Sequence, residues 1–421
     1  MRNAGLTAEV MRRLFGRCGS ICIVLLLMGT FGTAVSGSLI ATWNPNTEED
    51  LAGYKVLYGI EPGKYSVEKD VGNTTVFVAD NLTDGQDYYF VVKAYDKAGN
   101  VSNPSVEASG RPGKPMLVAL NQPEAIRLVW TPIADAQSYQ IFKGADPYTT
   151  PGAPVATAAA TDLQWDDTQF VTANEKESYY TVKAVKDGQP IFEFEPVGAY
   201  DVLMHTGLNL VSLPLLPADS TLHTVFGEQL TGGESSTTAD QIRVWNGEEY
   251  EIYWYYEGPV VQYKGKLISS KSGLESGLKL DPNRSFWVKI QDGHKDTVVT
   301  FTGRVPLDSN RVITLAQGFN FVGSCYPSVV SLKDTELYQD GVVRGDVGSG
   351  RADIVRAWVD STWVSAWVID GTGTELDGTW MDQSGRNEST IQFRPGEGYL
   401  IWIKGDNPNK VWTYPNPKYS K

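Results

Sequence analysis

The chain repeats itself at two different periods, and any fold it adopts must give the members of each repeat equivalent surroundings. In the second half, Ala239-Asp240-Gln241-Ile242-Arg243-Val244-Trp245 matches Ala352-Asp353-Ile354-Val355-Arg356-Ala357-Trp358 at an offset of 113. The same offset pairs Trp254 with Trp367, Pro282 with Pro395, Phe286 with Tyr399 and Phe301 with Tyr414. At an offset of 111, Gly207-Leu208-Asn209-Leu210-Val211 meets Gly318-Phe319-Asn320-Phe321-Val322. In the first half, Asp135–Gly144 repeats Asp50–Gly59 at an offset of 85, Trp130 answers Trp43, and Tyr180–Ala184 answers Phe90–Ala94. Four units follow from this, at 37–112, 113–203, 204–306 and 307–417, with a short tail at 418–421.

Within the units the pattern is that of strands. Tyr88, Phe90, Val92 and Ala94 recur every second residue, and Asp96-Lys97-Ala98-Gly99-Asn100 closes that run as a turn. Leu39–Trp43, Gly53–Gly59 and Thr75–Val78 read the same way. The chain carries 42 glycines and 22 prolines, which punctuate short strands and leave little room for long helices. The predicted class is all-β: tandem β-sandwiches followed by two β-rich units with at most short helices. One such helix is expected in the third unit, capped by Ser220, with Leu222, Val225, Phe226 and Leu230 on one face and Gly232 beyond it. Arg394-Pro395-Gly396-Glu397 predicts a type II turn, and Asp281-Pro282-Asn283-Arg284 its counterpart, with Asn283 at positive φ.

Residues 1–36 read as a secretory leader. Arg2, Arg12, Arg13 and Arg17 precede an apolar run from Ile21 to Met28, and small residues follow at Ala34-Val35-Ser36-Gly37. The apolar run is shorter than a membrane span needs. Cleavage would remove four arginines and one glutamate, leaving 32 basic and 49 acidic residues, a net charge of −17. Such a surface repels nucleic acid and anionic lipid. Cleavage would also leave Cys325 as the single cysteine, so no intramolecular disulfide can form, and its apolar neighbours Phe321, Val322 and Tyr326 predict a buried thiol.

Trp43 with Asn44-Pro45-Asn46, then Asp50-Leu51-Ala52-Gly53-Tyr54, then Leu82-Thr83-Asp84-Gly85-Gln86-Asp87-Tyr88 resemble a bacterial fibronectin type III domain. The resemblance implies that Tyr88 is the tyrosine-corner residue, its hydroxyl bonded back to the loop near Leu82. Trp43, Tyr54, Leu82 and Tyr88 are the signature of the first copy, and Trp130 and Tyr139 of the second, where Ser178 replaces the corner tyrosine. The family's usual first strand has no counterpart before Trp43, which predicts an open sheet edge at Leu39–Trp43. The second half resembles a repeat of secreted bacterial and archaeal surface proteins, read as Gly-Trp-Asn-Leu-x-Ser-Leu-Pro and later Pro-Gly-x-Gly-Tyr-Trp. Leu208 and Phe319 replace its first Trp, and Leu400 the last one in the second copy. No activity is attached to that family.

Nine of the twelve tryptophans lie in the second half. Strand packing is the preferred reading for them. Its alternative is a platform that stacks on sugar rings, and its carriers would be Trp254, Tyr256, Trp363 and Trp367. His205, His223 and His294 are scattered, and no metalloprotease helix, nucleophile elbow, paired-cysteine zinc spacing or phosphate loop occurs. Asp346–Asp353 starts like a calcium loop but lacks oxygen ligands at the third and fifth positions. No cofactor is therefore expected beyond weak surface calcium. The sequence reads as an exported, non-catalytic binding or structural protein of the cell surface, extracellular space or periplasm. Its partner would be a surface polysaccharide or a protein, and it would have no membrane span once the leader is removed. Alternatives are a polysaccharide-binding protein using the Trp-rich half, a glycoside hydrolase, or a strand-exchanging filament or layer subunit that assembles with itself.

Overall fold

The computed structural model describes residues 36–46, 48–405 and 410–419. The predicted leader lies outside the described residues, apart from Ser36. The described chain is all-β, built from antiparallel sheets with one-turn helices between them.

The first unit contains β1 (Ser36–Thr42), β2 (Leu51–Gly59), β3 (Val67–Gly72), β4 (Val76–Thr83), β5 (Tyr88–Asp96) and β6 (Ala108–Gly110). A four-stranded sheet, β3-β2-β5-β6, faces a two-stranded one, β1-β4. Alternation turns Leu39, Ala41, Tyr54, Val56, Phe90 and Val92 into one core between them. Among the described residues no other strand pairs with β1. Its outer face is nonetheless covered, because Ile40 and Val76 pack against Val118 and Val129 of the next unit.

The second unit runs through β7 (Leu117–Gln122), β8 (Ala125–Trp130), β9 (Ser138–Gly144), β10 (Ala156–Ala159), β11 (Gln164–Asp167), α1 (Thr168–Thr172), β12 (Glu177–Lys186), β13 (Gln189–Glu193) and β14 (Val197–Met204). Here the smaller sheet has three strands, β11-β8-β7, with β7 on the edge of β8 that has no counterpart in the first unit. The third unit holds β15 (Gly207–Ser212), α2 (Leu222–Phe226), β16 (Gln241–Trp245), β17 (Tyr250–Tyr256), β18 (Lys266–Ser269), β19 (Ser285–Ile290) and β20 (Thr297–Arg304). No linker separates these two units. β14 pairs with β12 on one side and with β20, residue for residue from Val197↔Arg304 to Met204↔Thr297, on the other.

The fourth unit comprises β21 (Asn310–Leu315), β22 (Gly318–Gly323), β23 (Val330–Ser331), β24 (Ile354–Val359), β25 (Thr362–Val368), β26 (Trp380–Asp382), β27 (Gln392–Phe393), β28 (Gly398–Ile403) and β29 (Lys410–Pro415). Its main sheet, β22-β28-β24-β25-β26, has the strand order of β15-β19-β16-β17-β18 in the third unit, and the β21–β29 pair stands where β14–β20 stands there. The correspondence reaches single hydrogen bonds. Asp240 accepts from the amides of Thr231 and Gln291, and Asp353 accepts from those of Arg344 and Lys404, each 113 residues on. Asn209 bridges His205, Gly207 and Val288 as Asn320 bridges Ala316, Gly318 and Ile401.

Two local expectations change. α2 starts after Thr221 rather than Ser220, and it ends at Gly227, whose φ of 50° cannot continue a right-handed helix, rather than at Gly232. Leu222, Val225 and Phe226 of the helix, and Leu230 beyond its end, are buried in the core. The 394–397 turn closes with Glu397 N–H donating to Arg394 O at 3.1 Å, with Gly396 at φ 81°. In the 281–284 turn, Asn283 is not at positive φ, and its amide is held instead by the Asp281 carboxylate at 2.9 Å.

Candidate functional site

Three of the four residues named for sugar stacking are buried. Trp254 and Tyr256 are each 8% exposed and pack with Ala239 and Ile268, while Tyr253 and Tyr255 on the opposite face of β17 enter the core. Both faces of the strand are therefore covered. Trp367 is 4% exposed among Ala352, Ile354 and Met381, and its indole N–H donates to the Asp382 carbonyl at 3.0 Å. Trp363 is half-buried, with neighbouring rings at 5.1 Å (Trp358) and 5.8 Å (Trp287). A sugar needs an open ring face, which packing denies to Trp254, Tyr256 and Trp367.

What the aromatic residues build is a seam between the third and fourth units. Trp287 meets Phe321, Trp358 and Trp363 from the next unit, and Tyr250 meets Phe321 as well. Every one of these pairs is edge-to-face, with interplanar angles from 68° to 89°. This geometry suits the ring quadrupole and adds roughly 0.5–1.5 kcal/mol per pair beyond burial. Polar bonds flank the seam: Trp358 Nε1–H to Leu208 O at 2.7 Å, and Ser212 Oγ–H to Glu397 O at 2.6 Å.

The signature residues of the two sandwiches act on their own loops. Trp43 and Tyr54 pack edge-on at 5.5 Å, and Trp130 and Tyr139 pair at 5.3 Å. The Tyr54 hydroxyl accepts from Asn46 N–H at 2.6 Å and that of Tyr139 from Ile133 N–H at 2.9 Å. Next to the buried Leu82, Thr83 N–H donates to the Tyr88 hydroxyl at 3.0 Å. In the second unit, Ser178 instead donates to Glu175. These contacts hold turns in place.

A concave site does exist, and no sequence motif marks it. It is a cleft of about 570 Å³ where the first three units meet, within the range of small-molecule sites. Its walls come from the end of β1, the β7–β8 turn, and α2 with β14 and β20. Three of its lining residues carry a buried polar atom with no hydrogen-bond partner among the described residues: Asp201 Oδ1, His223 Nε2 and Trp43 Nε1. Burial raises the pKa of Asp201, with the Thr300 side chain pulling it partly back. Burial lowers that of His223, outweighing the pull of Glu275. The other ring nitrogen of His223 lies 3.0 Å from the Tyr255 hydroxyl. One rim is pre-set by Gln229, whose Oε1 accepts from Thr300 N–H at 2.7 Å and from Asn121 Nδ2–H at 3.1 Å, tying the second unit to the third.

Elsewhere, Asp346 of the calcium-like segment pairs with Arg351 at 3.2 Å. Among the described residues no three His, Cys, Asp or Glu side chains come together as a metal site requires. Also among them, no helix is long and apolar enough to cross a membrane.

No family model matches the sequence, and no curated protein matches it. Among solved structures, the chain is similar to the FN1–FN3 domains of chicken CNTN1, at 16% identity and a TM-score of 0.17, covering 40% of this chain and 65% of that one. The chain thus spans just under two thirds of that structure. It is also similar to a segment of two fibronectin type III domains from chicken tenascin, at 18% identity and a TM-score of 0.16, covering 41% of this chain and 97% of that one. The fold rests on the strand orders given above.

Proposed function

We propose that this chain is an exported, non-catalytic protein of the bacterial surface or extracellular space, whose tandem sandwiches hold a binding surface in fixed geometry. The observation that carries the reading is the sharing of β14 by the second and third units. A joint made of backbone hydrogen bonds on both sides of one strand resists hinge motion, whereas units strung on flexible linkers move independently by default. The aromatic seam and the apolar contact between β1–β4 and β7–β8 support the same reading at the other two joints. A rigid array of this kind suits presentation of a ligand site away from a cell, and the leader-like start of the sequence supplies the route outward.

The test is expression of the full chain with its own first 36 residues in a bacterium. Export predicts a product in the periplasm or medium whose N-terminal sequence begins near residue 37. The exported product, offered to intact cells and to insoluble polysaccharides, should be retained by at least one. A product that stays cytoplasmic with Met1 in place overturns export, and one retained by neither surface overturns the binding half.

A further inference from the structure

We infer that the cleft between the first three units binds a neutral sugar unit, with Asp201 and His223 as its hydroxyl-recognising groups. This deepens the binding reading above and rests on it.

The cleft gathers buried polar atoms that have no partner among the described residues. Buried side-chain polar atoms are nearly always bonded, and one left unmade costs about 1–3 kcal/mol. Asp201 Oδ1 and His223 Nε2 are both left so, and both line this one cavity. The indoles of Trp43, which also lines the cleft, and of Trp130, which does not, lack partners for Nε1 as well. They occupy corresponding places in the two sandwiches, which marks them as a feature of the fold rather than of a ligand.

The chemistry of the walls selects the ligand. No lysine or arginine lines the cleft, and its charged residues are Asp201 and Glu228, so phosphate and carboxylate ligands find no counter-charge. Leu213, Leu215, Val225 and Phe301 supply apolar surface beside the polar groups, the mixture that the CH faces and hydroxyls of a sugar ring present together. His223 adds a further constraint. If the Tyr255 hydroxyl donates to Nδ1, then Nε2 carries the proton and needs an acceptor; if Nδ1–H donates to Tyr255, then Nε2 needs a donor. A hydroxyl answers either tautomer, and the same kind of group can donate to the Asp201 carboxylate. An ammonium group answers only one of the two, and it must be desolvated to enter. About 570 Å³ is room for one or two sugar rings.

The experiment is calorimetric titration and thermal melting of the chain from residue 37 with cellobiose, maltose, xylobiose and lactose, with putrescine and inorganic phosphate as charged contrasts. At least one neutral disaccharide should bind at one site per chain and raise the melting temperature. Asp201→Asn should weaken that binding about tenfold or more, and His223→Phe should abolish it. Thr224→Trp, a substitution at an exposed rim position, should block it without touching the packed interior, which guards against misfolding of the other two. Four flat sugar titrations overturn the proposal, as does sugar binding that survives in all three variants. Putrescine binding that Asp201→Asn abolishes would show an ammonium site instead. Retention on cells or polysaccharide that persists in the Asp201→Asn, His223→Phe double variant would leave the binding reading standing while removing its assignment to this cleft.

Discussion

Gly396 of the fourth unit lies against Val202 of β14, so closely that a Cβ added to the glycine would come 2.5 Å from Val202 Cγ2. Its φ of 81° already excludes ordinary side chains, and its carbonyl accepts from Ser212 N–H at 3.0 Å. The turn therefore plugs the fourth unit into the strand that joins the second and third. Gly396→Ala should cost about 2–4 kcal/mol, combining left-handed strain with overpacking against a stiff β-branched side chain. Guanidinium denaturation reads this directly. An unchanged midpoint would mean that the turn does not seat as described.

Trp287 is the centre of the aromatic seam, 7% exposed and in contact with three rings of the neighbouring unit. Its truncation to Ala should destabilise the chain by about 3–5 kcal/mol. The distribution of the effect is the sharper test. Amide exchange should accelerate in β22 and β24, which belong to the other unit, as well as in β19. Acceleration confined to β19 would show that the seam does not couple the two.

The match of Asp240 to Asp353 was legible in the sequence, and each is held by two backbone amides at corresponding distances along the chain. The 394–397 turn was legible because Pro395-Gly396 admits few conformations, whereas Asn283 in the 281–284 turn does not take the positive φ expected of it. The side of a strand that a neighbour covers was not legible. Trp254 and Trp367 sit on outward faces by alternation, but loops and the adjoining strand close over them, and that closure depends on residues far along the chain. The cleft was the least visible feature. Asp201 and His223 lie 22 residues apart on β14 and α2, and the walls that make them a pair come from three units. The only local sign was a histidine within an otherwise apolar helix face.

Acid should weaken the fold through His223. In the unfolded chain its imidazole titrates near 6.5, whereas burial holds it lower in the native state, against the opposing pull of Glu275 and with Lys266 adding to the shift. Between those two values the unfolded chain binds a proton that the native chain does not. Stability is therefore complete above about pH 6.5 and falls as pH drops toward the native value, below which the loss levels off. The Asp201 carboxyl, raised above 3.8, acts in the opposite sense, losing stability as pH rises from 3.8 toward its native value. Melting temperature followed from pH 8 to 5 should decline less in His223→Gln than in the parent chain. Parallel profiles for the two proteins would remove His223 as the cause.

Cys325 should be inert until the fourth unit opens. The residue is 2% exposed, its thiol points to the Gly323 carbonyl at 3.4 Å, and burial pushes its pKa up to about 12. A thiol needs both exposure and thiolate character to react, and this one has neither. In the chain from residue 37, where it is the single cysteine, a chromogenic disulfide reagent should label no sulfur in the native protein at pH 8 and one equivalent in guanidinium. The native labelling rate then reports opening of the fourth unit, so Gly396→Ala and Trp287→Ala should both speed it up. Prompt stoichiometric labelling of the folded parent chain would show instead that the thiol is accessible.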